Sequence, residues 1–147
     1  MRRHAVLALA ASLVLGAPPL AAQTLTIGAA APVTSVDPHF HNLGPNNALT
    51  MHIFDRLVER DARARPQPSL AASWRALSDT EWEFRLRPDV TWHDGRPFTA
   101  DDVVFTFARV PEVPNSPGGF QGFLRAITRV EVVDPHTIRL HTSVPHP

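Results

Sequence analysis

The chain has 147 residues, with 14 basic and 14 acidic side chains, 15 prolines, 7 glycines and no cysteine. The lack of cysteine excludes a disulfide-stapled scaffold and a lipid-modified cysteine, and the balanced charge gives no basic surface that would recommend nucleic acid or an anionic membrane as partner. So many prolines against so few glycines predict stiff turns and no long uninterrupted helix.

Residues 1–22 read as an export leader. Arg2 and Arg3 stand at the start, an apolar run covers residues 5–16, and small residues end at Ala21 and Ala22, the three parts that export needs. The cut is expected before Gln23. The apolar run is too short to cross a bilayer and no later segment is long enough, so the mature chain is expected in solution in the periplasm. Two of the basic residues leave with the leader, which gives the remainder about two net negative charges. Residues 142–147 (TSVPHP) stop in a strand exit and a proline-rich turn, and the chain is expected to be incomplete.

In the mature part, Leu25, Ile27 and Ala29 alternate with Thr24, Thr26 and Gly28, which predicts a first strand. Residues 31–43 carry turn formers without a period and predict a loop. Asn46 or Asn47 is expected to cap a helix whose broad apolar face, Leu49, Met51, Ile53, Phe54, Leu57 and Val58, is mostly core. Residues 60–68 read as a polar linker, and residues 69–74 (SLAASW) as a short compact turn or helical piece with Leu70 and Trp74 inward.

The strongest strand signal is residues 81–86 (EWEFRL), with Trp82, Phe84 and Leu86 on a core face and Glu81, Glu83 and Arg85 on a wet one. Pro88 and Asp89 turn the chain into a second short strand, residues 90–92. His93 to Arg96 form a tight turn in which Gly95 takes positive φ. Thr99 caps a helix with Asp102 in capping-box spacing, and Asp101 and Asp102 both favour its positive end. Val103, Val104, Phe107 and Ala108 continue that helix inward. Residues 110–122 predict an irregular loop, and residues 128–133 and 137–142 a hairpin with Ile138 and Leu140 on one face opposite Arg139 and His141.

The ordered strings SVDPH (35–39), IFDRLVERD (53–61), PQPSLAASW (66–74), WEFRLRPDVTWHDGRPFTADDVVFTF (82–107) and VEVVDPHTIRLH (130–141) together resemble the family 5 extracellular solute-binding proteins, the receptors of dipeptide, oligopeptide and nickel ABC importers. The resemblance covers residue 24 to the end of the chain. It implies an α/β fold of the periplasmic-binding-protein-like class II, in which two lobes close around a ligand. On that analogy residues 23–53 are the first segment of the main lobe, and residues 54–147 the small extra domain of the class. The second lobe lies outside the chain. The implied role is non-enzymatic: a monomer that binds a peptide or small solute without a cofactor and passes it to permease subunits in the inner membrane.

By the same analogy the loop over residues 34–41 faces the ligand cleft, and Thr34, Ser35, His39 and Asn42 are the ligand-binding candidates. Their local chemistry allows a second reading, in which Ser35, Asp37 and Asn42 cap turns around Pro38. The adjacent His93 and Asp94 do not read as catalytic, because neighbours on a tight turn do not aim at one atom and no nucleophile accompanies them. His39 and His41, with His52, fall short of a metal site, which takes three or four convergent ligands. Two other functions fit the sequence less fully: a metal-dependent periplasmic hydrolase built on the histidine-rich loop, and a stand-alone interaction module.

Overall fold

The computed structural model describes residues 24–146; the leader and its expected cut lie outside them. A short helix α1 (Gly44–Thr50) is followed by two strands, β1 (Val58–Arg60) and β2 (Pro66–Pro68). Strands β3 (Ala71–Ser78) and β4 (Glu81–Leu86) come next, then helix α2 (Ala100–Arg109), two single 3-10 turns (Val110–Glu112 and Gln121–Leu124), and strands β5 (Ile127–Asp134) and β6 (Thr137–Thr142). The first two strands form an antiparallel ribbon, and the other four a sheet in the order β3-β4-β6-β5.

Strand β4 lies where its alternation predicts, between two antiparallel neighbours that pair Phe84 with both Trp74 and Ile138. Its apolar side joins the core, in which Ala71, Leu86, Phe98, Ala100, Val103 and Ile138 are buried and Phe84, Phe107 and Leu140 pack at the margin. The other side is not uniformly wet. Glu83 is buried, because Arg75 from β3 donates to Oε1 at 2.7 Å and Arg139 from β6 donates to Oε2 at 3.1 Å. These bonds, the Arg75 bond foremost, hold the Glu83 carboxyl below the usual glutamate range, so the charge sits in the sheet with both oxygens satisfied.

Helix α2 begins as predicted. The Asp102 carboxylate accepts the Thr99 backbone N–H at 2.8 Å, and two acids occupy the first turn. Val103 is buried and Phe107 half-buried against the sheet, whereas Ala108, expected inward, points to solvent because it sits one residue beyond the Val103–Phe107 face. The turn at residues 93–96 also forms, with Gly95 at φ +85°. The strand expected at residues 90–92 shrinks to one bridge between Thr91 and Pro97: the turn closes tightly, with backbone bonds from Gly95 to Trp92, from Trp92 to Arg96 and from Phe98 to Val90. The β5–β6 hairpin forms where predicted, with Val132 opposite Ile138 and Val130 opposite Leu140.

Four further expectations change. Residues 24–29 form no strand, and Leu25 and Ile27 are 84% and 74% exposed: alternation makes a strand only where another edge is within reach, and among the described residues both sheets draw their strands from Val58 onward. Helix α1 starts at Gly44, not at an asparagine cap, because Pro45 fixes the first turn. It stops at Thr50 through short-range bonds from His52 to Leu49 and from Ile53 to Thr50, which leaves Met51, Ile53 and Phe54 exposed instead of in the core. Residues 60–68 are no linker: Asp61 accepts the backbone N–H groups of Arg63 and Arg65, and this turn folds β2 back on β1. Of residues 69–74, Ser69 and Leu70 form a bend and residues 71–74 enter strand β3 instead of a helical piece, because the free edge of β4 and the turn at Asp79 and Thr80 capture them.

Ile138 has no exposed surface and packs at the middle of the sheet. Ile138→Ala is expected to lower unfolding stability by about 2–5 kcal/mol through lost burial and the cavity left behind, read as a lower urea midpoint with an unchanged slope.

Candidate functional site

The loop between residues 34 and 43 is held in place from three sides. Inside it, Ser35 Oγ accepts the Asp37 N–H at 3.0 Å and Asp37 Oδ1 accepts the His39 N–H at 2.9 Å, the Asx and Ser turns that pull the chain around Pro38. From helix α1, buried Asn46 donates to Thr34 Oγ1 at 2.9 Å and accepts the Thr34 N–H at 3.0 Å, and Asn47 donates to Asn42 Oδ1 at 2.8 Å. Across the molecule, Asn42 N–H donates to Gly118 O at 2.9 Å, and Ser116 Oγ donates to Phe40 O.

The third attachment is ionic. Arg109, the last residue of α2, forks onto both oxygens of Asp37 and also donates to His39 Nδ1 at 2.9 Å. The Arg109 hydrogen bond holds the Asp37 carboxyl below the usual range. Burial, and then the Arg109 charge, push His39 below the usual histidine range.

Beside this loop opens a groove of about 620 Å³. Its wall is largely apolar, with Met51, Phe54, Trp92, Phe107 and Phe123 among its residues and His39 at the loop side. Trp92 is braced edge-on by Phe98, the rings 6.2 Å apart.

Of the four candidates, the structure brings His39 to the groove and engages the others elsewhere: Thr34 with Asn46 and Asn42 with Asn47 of helix α1, and Ser35 with Asp37 within the loop. Ser35 and Asp37 cap the turns around Pro38 as the second reading has it, whereas Asn42 accepts from the Asn47 side chain instead. Asp94 accepts the backbone and side-chain N–H groups of Arg96, so it serves its turn. His39 Nδ1 faces a guanidinium and has no lone pair left for a metal, while the His41 ring lies against Gly118. Arg109 and Asn46 were not candidates from the sequence: a basic residue at a helix end reads as a dipole partner, and nothing local says that it reaches a loop 72 residues earlier.

The described residues form a partial α/β fold, and the solved structures it is similar to are periplasmic-binding-protein-like. Residues 65–147 match the family described as Bacterial extracellular solute-binding proteins, family 5 Middle, more than half of the chain, and the chain belongs to that family. It is 31% identical to the periplasmic oligopeptide-binding protein OppA of Escherichia coli over 95% of its own length and 29% of that relative's. Among solved structures it is similar to OppA of Haemophilus influenzae in complex with the peptide RPPGFSPFR, with TM-score 0.69 and 29% identity over 80% of this chain and 26% of that one. It is also similar to MoaA of A. tumefaciens in complex with mannopinic acid, with TM-score 0.68 and 36% identity over 78% and 24% of the two chains. The chain thus spans less than a third of the length of these relatives.

Both Asp37 and His39 resist protonation in the folded chain, so unfolding takes up protons and stability falls with pH, first through the usual histidine range and then through the carboxylate range. Arg109→Met is expected to lower stability at pH 7 by about 1–3 kcal/mol, the scale of charge-assisted hydrogen bonds, and to flatten this acid-side decline. Urea midpoints from pH 7 to pH 3 check both. A Cβ on Gly119 would meet Ser116 Oγ at 2.7 Å and His39 O at 3.3 Å, so Gly119→Ala is expected to displace Ser116 and speed amide exchange at Asn42.

Proposed function

We propose that this chain is the N-terminal part of the substrate-binding component of an ABC importer, which takes up peptides or related solutes in the periplasm and delivers them to the membrane permease without chemical change. The observation that carries the reading is the pinned loop beside an apolar groove in a chain of this family. A receptor must hold its ligand long enough to transfer it and then let go, and a preformed wall with few oriented polar groups does this at low ordering cost. The leader-like residues 1–22 and the periplasmic location printed for the OppA relative support export.

Residues 23–53 supply the start of the main lobe and residues 54–147 the small extra domain, with His39 as the cleft-facing member of the loop. A two-lobed receptor gains affinity from contacts made on both sides of its cleft at once, and the groove described here is one side. Cells lacking the gene are expected to lose uptake of at least one labelled di-, tri- or oligopeptide or related solute and to regain it on complementation. Undiminished uptake across a solute library would overturn the reading.

A further inference from the structure

Arg109 and His39 fix a proton. A guanidinium has only donors, so a ring nitrogen 2.9 Å from Arg109 Nη1 must receive that bond on a lone pair. Nδ1 of His39 is therefore unprotonated, and the neutral ring carries its hydrogen on Nε2. Arg109 holds the ring, and Asp37 holds both Arg109 and the His39 backbone. Asp37 grips Arg109 through both carboxylate oxygens and accepts the backbone N–H of His39, so guanidinium, carboxylate and His39 are tied into one unit.

Nε2 has no hydrogen-bond partner among the described residues, and no buried side-chain nitrogen or oxygen there lacks one; Nε2 is therefore reachable from outside. His39 lines the groove. Two other polar residues on that wall are engaged already, Asn47 with Asn42 and Thr50 with the carbonyl of Asn47.

We propose that Arg109 locks His39 as the Nε2–H tautomer, so that His39 offers the groove a donor that selects an acceptor oxygen of the bound solute, a backbone carbonyl or a carboxylate, and disfavours an ammonium group. This rests on the receptor reading above and adds the chemical group recognised. His39 acts here as a specificity residue, and Asp37 and Arg109 as positioning residues.

The tautomer is tested on the unmodified chain without ligand, by long-range proton–nitrogen correlations of the histidine rings at pH 7. The Nε2–H pattern is expected for His39; an Nδ1–H pattern or a doubly protonated ring overturns the proposal whatever the chain binds. Recognition is tested by adding trialanine, or N-acetyl-trialanine amide, to about 50 mM, well above a millimolar dissociation constant. Shifts of the His39 ring with both probes assign a backbone carbonyl, and shifts with trialanine alone assign the carboxylate; either supports the proposal. Shifts at the Trp92 indole without any at His39 overturn it and leave the receptor reading standing, whereas no shift at either residue counts against both. His39→Phe is expected to weaken trialanine binding about fivefold, the worth of one neutral hydrogen bond. His39→Gln, which keeps an N–H near the same place, is expected to stay within about twofold of the unmodified chain; equal loss in both variants overturns the proposal.

Discussion

The fork between Arg109 and Asp37 is the contact on which the site depends. It ties the end of a helix packed on the sheet to a loop that has little core of its own, across 72 residues of sequence. A loop of this length would otherwise sample many conformations, at a cost of about 1–2 kcal/mol for each residue ordered. The Asx and Ser turns and the bonds to Asn46, Asn47, Ser116 and Gly118 reduce that freedom, and the fork reduces it further by fixing where the loop stands against α2. Because both partners are only part-exposed, solvent screens them less than it does the surface pairs such as Arg96 with Asp94.

A similar device appears in the sheet. Glu83 is enclosed by Arg75 and Arg139 from the strands on either side, so a carboxylate at the centre of β4 specifies which strands flank it. A one-residue slip of either neighbour would carry its arginine to the other face and leave one oxygen of buried Glu83 without its partner, a penalty larger than that bond itself is worth. Sheet register and loop position are thus both set by arginines reaching acids on separate elements. All 14 basic side chains are in fact arginines, the residue whose planar fork suits two-point contacts with carboxylates.

What the sequence made legible follows from the range of each interaction. The capping of α2 by Thr99 and Asp102, the left-handed Gly95, the alternation of β4 and the β5–β6 hairpin are all encoded within a few residues, and they appear where expected. Residues 69–74 look like a turn or helical piece because alanine favours helix, yet residues 71–74 pair with β4, a choice made by an edge that the local sequence does not contain. Asn46 shows the same limit at the site: its residue type predicted a cap, while the fold uses it inside, against Thr34. The loop was legible as a ligand-facing candidate by family resemblance, but the division of labour within it was not. That division depends on Asn46, Asn47 and Arg109, which lie outside the loop in sequence.

The electrostatics of the groove follow from this arrangement. Arg109 would present a full positive charge to any solute beside His39, and a charge in a partly dry site binds anions with little regard for shape. Asp37 cancels that charge at contact distance, so the loop side of the groove offers a directed N–H in place of a field. A neutral donor loses less on desolvation than an ion does, and its geometry restricts where an acceptor can sit. An apolar wall of Met51, Phe54, Trp92 and Phe123 then contributes contact area with little demand on side-chain identity, while the donor fixes the placement of an oxygen. On the proposed reading, that combination would discriminate by the position of polar atoms and tolerate variation elsewhere in the solute, which is the behaviour a receptor for a class of compounds requires.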